Sequence, residues 1–469
     1  MAWRGVEGFL LQRQLSKSGS LLTANESLPV HSAWTALLLV LLFCAASEFI
    51  IRGPLRFAHA ANFNDFISPY IQTRAWIAGI DPYSSQNLLR LWPADSEHYD
   101  FLAHDFAEGT LVYKHGIPTA YPLTAFVLLV PVATLPWHIA HPAWLVLTVL
   151  AFAVTVISLI WTARLLPLTR RSLVFLILAL ALAPFHTGLA AGSIVTVAVA
   201  ASAAAVRSAE HDRDLLAAVV LAIAVSLKPQ IGLPFLFYYL LRRRWRLATV
   251  AAAIVATFAA VGLIRLAASS TPWLENYLYD GRVLLGPGSL GDFTEKDPLR
   301  FGLVNFQVAA YTILQNRDYA IVAAFAVAAI AGLIWLFLFF WRASHHDALL
   351  EMSTLAVLSL IPVYHRFYDA ALLIFPLAWS ITALTAPNGR LRTLARAVLA
   401  VIILVFLVPG GTILTQFQQA GHFAAVQNYW WWKTIILPHE SWSILLLGLL
   451  LLGATRIRDS PEASVAVGT

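Results

Sequence analysis

The chain has a single cysteine, Cys44, and few charged residues. Lys, Arg, Asp and Glu make up 12% of it, about half of the roughly 25% that is usual in soluble domains. One cysteine excludes an internal disulfide and a metal site built from cysteines. The net charge of +6 and the pI near 9.5 do not indicate nucleic-acid binding, because the excess arginines lie largely in short turns between apolar segments.

Long apolar runs make up most of the remaining sequence. Hydrophobic residues form 59% of the chain, and the mean hydropathy is +0.73. Runs of about twenty apolar residues, enough to cross a hydrocarbon core of about 30 Å, recur along it. The sequence therefore predicts an all-α polytopic membrane protein with about twelve transmembrane helices. The predicted spans are residues 33–51, 119–136, 140–163, 172–186, 189–206, 214–241, 246–267, 318–341, 348–363, 367–385, 392–409 and 437–454.

The predicted organisation is one membrane domain, residues 33–454, between a cytoplasmic N-terminal segment, residues 1–32, and a cytoplasmic tail, residues 455–469. Most arginine clusters then lie on the side of the N-terminus, which the positive-inside rule makes cytoplasmic. Five arginines fall on the other side in this topology: Arg164, Arg170, Arg171, Arg207 and Arg213. The alternative is a break of the 214–241 segment at Lys228-Pro229.

Three long polar segments, residues 52–118, 268–317 and 410–436, share the outer face in this topology. A permease usually keeps its loops short and places its polar groups near the midplane. Long loops gathered on one side instead favour an outward-facing enzyme in the cytoplasmic membrane. The mixture of aromatic and aliphatic residues after Asp65 predicts helices that lie along the interface.

Charged residues near apolar segments are the candidate site, because an unpaired charge in lipid costs several kcal/mol. They form four clusters. The clusters are Asn62, Asn64 and Asp65 with Asp81 and Tyr83; Lys228-Pro229-Gln230; Tyr364, His365, Arg366, Tyr368 and Asp369; and Tyr121-Pro122. A carboxylate together with cations predicts a general base beside a phosphate-binding set.

Each cluster also has a purely structural interpretation. Asp65 is a suitable N-cap for an interfacial helix, and Lys228 can extend its ammonium to the headgroups without a chemical role. The His365–Asp369 segment is able to form an ion-pair network in a turn. Tyr121 and Pro122 are typical of a helix start.

Several of these motifs resemble a known family. They are the Asp after the first span, Asp81-Pro-Tyr83, the Tyr121-Pro122 opening of a span, Lys228-Pro-Gln230 followed by Arg242-Arg-Arg-Trp-Arg246, and Tyr364-His-Arg-Phe-Tyr-Asp369. Together they resemble the bacterial mannosyltransferases of glycosyltransferase family eighty-seven, in the GT-C superfamily, over about residues 33–410. The chain departs from that pattern at Gly192-Ser193, where relatives tend to carry Gly-Gln.

The resemblance implies an inverting transfer of a hexose, mannose, from a polyprenyl-phosphate donor to a hydroxyl of a lipid-linked or glycan acceptor at the outer face of the membrane. It implies Asp65 as general base. The leaving phosphate needs a cation to receive it, and Lys228, His365 and Arg366 are the candidates. Arg suits phosphate because its planar fork binds two oxygens. The expected catalytic pair is Asp65 and His365. The expected substrate-binding set is Lys228, Gln230, Arg366, Tyr364, Tyr368, Asp369, Asp81, Tyr83, Tyr121, Asn62 and Asn64.

We expect no cofactor and no metal, since a monophosphate donor needs only side-chain cations. The acids of the first loop would nevertheless permit a hard cation; they are Asp65, Asp81, Asp100 and Asp105. The main rival is a carrier or flippase in which Lys228 and His365 bind an anionic substrate. A membrane acyltransferase or phosphotransferase with His365 as base is a third alternative. The second external loop, with Trp273, Tyr277 and Asp280, is suited either to binding a sugar or to packing over the first loop.

Overall fold

The structure is a computed structural model that describes residues 33–59, 65–94, 96, 121–167, 169–268, 271–341 and 347–457. In these residues the chain is helical, and extended pairing is limited to one isolated bridge between Leu303 and Arg366. The predicted all-α class is confirmed. Asn62 and Asn64 lie outside the described residues.

Most of the helices follow one another with short connections, and the longer connections lie between Arg90 and Leu123, between Leu284 and Phe306, and between Gln419 and His439. In chain order they are α1 (Ala33–Ile50), α2 (Ile67–Ala78), α3 (Ser85–Arg90), α4 (Leu123–Ala133), α5 (Trp137–Thr162), α6 (Arg170–Ala181), α7 (Ala183–Ala191), α8 (Val195–Glu210), α9 (Asp214–Leu227), α10 (Pro229–Leu241), α11 (Trp245–Ala267), α12 (Trp273–Leu284), α13 (Phe306–Leu314), α14 (Arg317–Trp341), α15 (Ala348–Leu358), α16 (Ile374–Ala383), α17 (Gly389–Phe406), α18 (Gly410–Gln419) and α19 (His439–Arg456). A π-helical turn, Ile51–Leu55, and Arg56–Ala58 prolong α1, and a 3₁₀ turn, Phe367–Leu373, precedes α16.

Five of the helical segments are long and apolar enough to cross a membrane. They are Ala33–Ala58, Trp137–Thr162, Trp245–Ala267, Arg317–Trp341 and Gly389–Gln419. A sixth candidate is the α6–α7 pair, which bends by 46° between Ala181 and Ala183. The chain is therefore a polytopic membrane protein, in which shorter apolar helices pack among the long ones.

Small side chains allow the central helices to approach one another closely. On α8 and α9 the buried positions include Ala198, Ala203, Ala217 and Ala222, none of which is exposed to solvent. In lipid, where the hydrophobic effect does not drive helices together, such surfaces associate through close packing. Several hydroxyl groups within the helices donate to carbonyls one turn earlier, as Ser202 does to Ala198 at 2.9 Å, so these hydroxyls are satisfied without water.

The bundle has two distinct ends. At one, which we call the loop end, the backbone N–H of Asp65 donates to the carbonyl of Ala191 at 2.7 Å, and the indole of Trp144 donates to the carbonyl of Gly192 at 2.8 Å. At the other, the arginine end, Arg171 donates to the hydroxyl of Thr385 at 2.9 Å. Helices α5, α6–α7, α8 and α16 therefore run between the two ends.

The predicted span 214–241 is a hairpin of two helices. Helices α9 and α10 have 14 and 13 residues and meet at Lys228, whose backbone is extended with φ −146° and ψ 94°. Arg244, just after α10, forms an ion pair with Asp214, the first residue of α9. One continuous helix would hold these two residues about 45 Å apart. The prediction of one span was wrong because Pro229 supplies no backbone N–H to the preceding helix.

Helix α4 is not a crossing, although residues 119–136 were predicted as a span. At its start Thr124 donates to the carbonyl of Ser226, near the hairpin tip, at 2.8 Å. Just after its end the carbonyl of Leu135 accepts from the hydroxyl of Tyr70 at 2.8 Å. Both ends of α4 therefore lie at the loop end, where its 11 residues, about 16 Å long, pack along α2.

With one predicted span removed and another divided, the prediction stays at about twelve crossings, of which five or six in the described residues are helices long enough to cross a membrane by themselves. These two changes reverse the direction of the helices between residues 137 and 228. The turns that carry Arg164, Arg170, Arg171, Arg207 and Arg213 consequently lie at the same end as Arg242–Arg246. All five arginines that contradicted the predicted orientation now agree with the positive-inside rule.

Candidate active site

Asp65 is fixed at the loop end by its neighbours on both sides. Its backbone N–H donates to Ala191, and Phe66, which follows it, stacks on the Trp144 indole with ring centroids 4.4 Å apart. The cap position of α2 is Phe66, and no side chain accepts a capping hydrogen bond there. The structural interpretation of Asp65 as an N-cap is therefore wrong, and its carboxyl is available for other interactions.

The Asp65 carboxyl lies among groups that favour its ionised form, although it is largely desolvated. Burial raises the pKa of Asp65, and Arg366, a hydrogen bond from Tyr368, and Lys228 oppose this rise. Its Oδ2 atom is buried and has no hydrogen-bond partner among the described residues. A carboxylate held by neighbours but with one oxygen unoccupied has the geometry that a general base needs.

Lys228 reaches the site from the tip of the α9–α10 hairpin. Its Nζ atom lies 2.5 Å from Oδ1 of Asp369 and 5.5 Å from the centre of the Tyr368 ring. The Lys228 side chain is 15% exposed and the Asp369 side chain is fully buried. Lys228 is thus one partner of a largely buried ion pair. The interpretation that its ammonium extends to the lipid headgroups does not fit this contact.

His365 is buried and occupied at both ring nitrogens. Its Nδ1 atom lies 3.1 Å from Oδ2 of Asp369, and its Nε2 atom lies 3.1 Å from the carbonyl oxygen of Ser359. The same Oδ2 accepts from the backbone N–H of Arg366 at 3.0 Å. Asp369 therefore joins His365, Lys228 and the backbone of Arg366, as the interpretation of a structural network in the turn predicted.

Arg366 is the cation that this network leaves available. Its side chain is half-buried and forms no ion pair with a carboxylate of the described residues. It interacts electrostatically with Asp65 and Asp297, and with the phenol of Tyr364 through a hydrogen bond. Burial raises the pKa of Tyr364 to about 12, against the opposing effect of Arg366, so this phenol is a neutral hydrogen-bonding group.

Asp81 and Tyr83 form a neighbouring supporting cluster. Asp81 accepts from the backbone N–H of Tyr83 at 2.9 Å and from the side chain of Asn276 at 2.6 Å. The Tyr83 hydroxyl donates to the carbonyl of Tyr121 at 2.9 Å, and its ring lies edge-on to Tyr277 at 5.0 Å. These contacts pack the second loop over the first one, which was one of its two predicted roles.

Tyr121 connects the two clusters. Its carbonyl is held by Tyr83, and its phenol interacts electrostatically with Asp65, Tyr364 and Asp369. Pro122 is the cap residue of α4 and Tyr121 precedes it, so the interpretation of Tyr121-Pro122 as a helix start is also correct. Through this one residue the first loop sets the position of a phenol beside Asp65.

The structure does not bring Gln230 into this set. Gln230 lies in the first turn of α10 and is exposed. Sequence reasoning also missed Asp297 and the segment that follows it. The backbone N–H of Val304 donates to the carbonyl of His365 at 3.0 Å, so the second loop fixes the backbone of the site. Only the acidic, turn-rich composition of this loop could have pointed to Asp297.

Among the described residues no group of three or more His, Cys, Asp or Glu side chains is placed to hold a metal ion. The acids Asp100 and Asp105 lie outside them. The expectation of a metal-independent reaction therefore stays a prediction.

These features define a polytopic membrane protein that presents a carboxylate beside a set of cations at one end of its helices. A family model described as Glycosyltransferase family 87 matches residues 119–364, just over half of the chain. The chain belongs to glycosyltransferase family 87 and is a membrane glycosyltransferase. The matched range includes Lys228 but ends at Tyr364, before Arg366 and Asp369. No curated protein and no solved structure matches the chain.

Proposed function

We propose that this glycosyltransferase moves a hexose from a polyprenyl-phosphate donor to a hydroxyl of a lipid-linked or glycan acceptor, with inversion at the anomeric carbon. Mannose as the sugar follows from the motif resemblance alone. The observation that carries the proposal is the position of the Asp65 carboxyl, with one buried oxygen unoccupied, beside the guanidinium of Arg366.

The reaction needs a base because an alcohol is a weak nucleophile at neutral pH. The acceptor oxygen attacks the anomeric carbon, and its proton passes to Oδ2 of Asp65. The bond between the anomeric carbon and the phosphate oxygen breaks, and its electron pair leaves with the polyprenyl phosphate. A positioned carboxylate is worth roughly 10² to 10⁴ in rate in such a step.

The leaving group is a phosphate monoester that gains a negative charge as the bond breaks. Arg366 is suited to receive it because a guanidinium binds two phosphate oxygens at once. In the described arrangement both nitrogens of His365 are occupied and Lys228 is paired with Asp369. We therefore propose that His365, predicted as catalytic, acts through Asp369, and that Lys228, held by Asp369, adds a second positive charge near Asp65.

We propose that Asp65 faces the outer side of the bacterial cytoplasmic membrane. The support is the distribution of arginines. The turns at the arginine end carry Arg164, Arg171, Arg207 and Arg244, whereas the three long loops gather at the end of Asp65. Basic residues in short turns are retained on the cytoplasmic side.

The test is a transfer assay in proteoliposomes with polyprenyl-phosphate mannose and a panel of lipid-linked glycan acceptors. The Asp65→Asn variant is compared with wild type and with Asp318→Asn, which changes an exposed carboxylate at the start of α14. We expect Asp65→Asn to lower kcat about 10² to 10⁴-fold and Asp318→Asn to leave kcat unchanged. Equal turnover in wild type and Asp65→Asn would refute the base assignment. Movement of the donor across the bilayer without covalent transfer would favour the carrier.

A further inference from the structure

A cleft opens at the arginine end, on the opposite side of the bundle from Asp65. It has a volume of about 690 Å³, which is within the range of small-molecule sites, about 300 to 1,000 Å³. Three arginines from different parts of the fold converge on it. They are Arg164 after α5, Arg171 in α6 and Arg207 in α8.

Two carboxylates, Glu210 and Asp347, also line the cleft. Glu210 lies 3.9 Å from Arg207. Arg164 is exposed and forms no ion pair with a carboxylate of the described residues. The arginines outnumber the carboxylates, so the cleft attracts an anion, and a phosphate diester is the membrane group with that charge.

An apolar surface leads along α5 to the same cleft. The side chains of Val146, Leu150, Val154, Ile157 and Trp161 are each between 43% and 59% exposed. Their spacing of three or four residues places them on one face of the helix. Trp161 ends this stripe at the edge of the cleft, where the Arg207 guanidinium lies 5.6 Å from its ring centre.

We propose that the cleft binds the headgroup of an anionic phospholipid, with the acyl chains along the α5 stripe. The arginines hold the phosphate. Trp161 lies at the membrane–water interface, between the headgroup and the acyl chains, where tryptophan is commonly found. A soluble phosphate compound would use the arginines and leave the stripe uncovered. The combination of a basic cleft and a continuous apolar face therefore selects the lipid.

Native mass spectrometry of the full chain in detergent, titrated with phosphatidylglycerol or phosphatidylcholine, tests the proposal. The Arg164→Gln/Arg207→Gln variant is compared with Arg242→Gln/Arg243→Gln, which changes two exposed arginines at the same end that do not line the cleft. We expect the cleft variant to bind phosphatidylglycerol more than tenfold more weakly, since each arginine contributes about fivefold, and the control variant to bind it within about twofold of wild type. Equal weakening by both variants, or equal binding of the two lipids by wild type, would overturn the proposal.

A second measurement uses the folded wild type and does not depend on the arginine variants. Phosphatidylglycerol with brominated acyl chains quenches the fluorescence of tryptophans that contact those chains. The part of this quenching that is lost in Trp161→Phe therefore measures lipid bound along the α5 stripe. We expect wild type to be quenched more than Trp161→Phe, and we expect excess glycerol 3-phosphate to leave this difference in quenching unchanged. No difference between wild type and Trp161→Phe refutes the lipid site. Full displacement by glycerol 3-phosphate refutes it in favour of a soluble phosphate ligand.

Discussion

Lys228 and Asp369 lie 141 residues apart in the sequence, and their Nζ and Oδ1 atoms lie 2.5 Å apart in the structure. The pair joins the tip of the α9–α10 hairpin to the turn before α16. Because Oδ2 of Asp369 also holds His365 and the backbone of Arg366, this single carboxylate sets the position of the cations beside Asp65. Asp369 is thus a positioning residue for the whole site.

Removing one partner of this pair is expected to destabilise the fold strongly. Lys228→Met leaves a buried carboxylate without its cation, at a cost of about 3 to 5 kcal/mol. The double variant Lys228→Met/Asp369→Asn removes both charges and is expected to recover most of that loss while activity stays low. Thermal unfolding in detergent measures both variants.

The matched control is Arg52→Gln, which breaks an ion pair with Glu48 at 2.6 Å whose side chains are 39% and 38% exposed. Such an exposed pair is worth about 0 to 1 kcal/mol. A double variant at positions 228 and 369 that is no more stable than Lys228→Met would show that the two charges do not act as a pair.

Arg366 is expected to bind the donor phosphate through both arms of its guanidinium. Arg366→Gln removes the charge and Arg366→Lys keeps it without the fork. A lost charged hydrogen bond costs about 1.5 to 3 kcal/mol, so we expect Arg366→Gln to raise the KM for the donor by about ten- to a hundredfold or to lower kcat by a similar factor. Arg366→Lys is expected to recover only part of this loss. Steady-state kinetics with varied donor measure it, and full activity in Arg366→Lys would exclude two-point binding.

The pH dependence of transfer is expected to follow Asp65. Burial raises its pKa above the usual aspartate value, which is about 3.9. The base acts only when ionised, so kcat/KM falls as the pH drops through this raised pKa, at a higher pH than for an ordinary aspartate. Arg366 is the largest influence that lowers the pKa, and the Arg366→Gln variant is therefore expected to lose its remaining activity at a still higher pH.

The control for this profile is Arg282→Gln, which removes an exposed arginine of α12 at the loop end. Its acid limb is expected to coincide with that of wild type. A limb in Arg366→Gln that stays at the wild-type pH, or moves to a lower pH, would contradict the assignment of the titrating group to Asp65.

Composition was sufficient to predict the fold class, and the resemblance of several motifs to a known family was sufficient to predict the family and most of the residues that lie near Asp65. They were not sufficient to predict that α4 does not cross the membrane, or that residues 214–241 form a hairpin of two helices. The apolar stretch around α4 has the composition of a span, and only its contacts with Tyr70 and Ser226 place both of its ends together. Hydropathy depends on composition within a window, whereas the direction of a helix depends on partners far away in the sequence.

The roles within the site were hard to predict for the same reason. Lys228, His365 and Arg366 are all cationic or able to become so, and the sequence does not distinguish which of them is already paired. The structure makes this distinction through Asp369, which engages Lys228 and His365 by its side chain. Asp297 was missed because no sequence motif relates it to the site; in the described part of the chain its position near Arg366 does so.

Transfer is expected to proceed without a divalent ion. The described residues hold no cluster of metal-ligating side chains, and Arg366 can neutralise the charge of a monophosphate leaving group. We expect enzyme that has been treated with EDTA and repurified to keep its activity in metal-free buffer. Loss of activity that Mg²⁺ or Mn²⁺ restores would show that oxygen ligands elsewhere in the chain bind a required metal.

The hairpin that carries Lys228 depends on the close approach of α9 and α10 at Gly232. A Cβ atom at this position would collide with the backbone nitrogen of Val225, and a backbone atom cannot move aside as a flexible side chain does. Gly232→Ala is therefore expected to force the helices apart, to cost about 1 to 3 kcal/mol, and to lower activity by displacing Lys228.

Gly332→Ala in α14 is the matched control, because a Cβ atom added there would have no atom of another described element within 4 Å. Alanine is favoured over glycine in a helix by up to about 1 kcal/mol, so this variant is expected to unfold at the same temperature as wild type or at a higher one. The two substitutions are chemically identical and their expected effects on thermal unfolding have opposite signs. A Gly232→Ala protein as stable and as active as Gly332→Ala would show that Lys228 does not depend on the packed hairpin for its position.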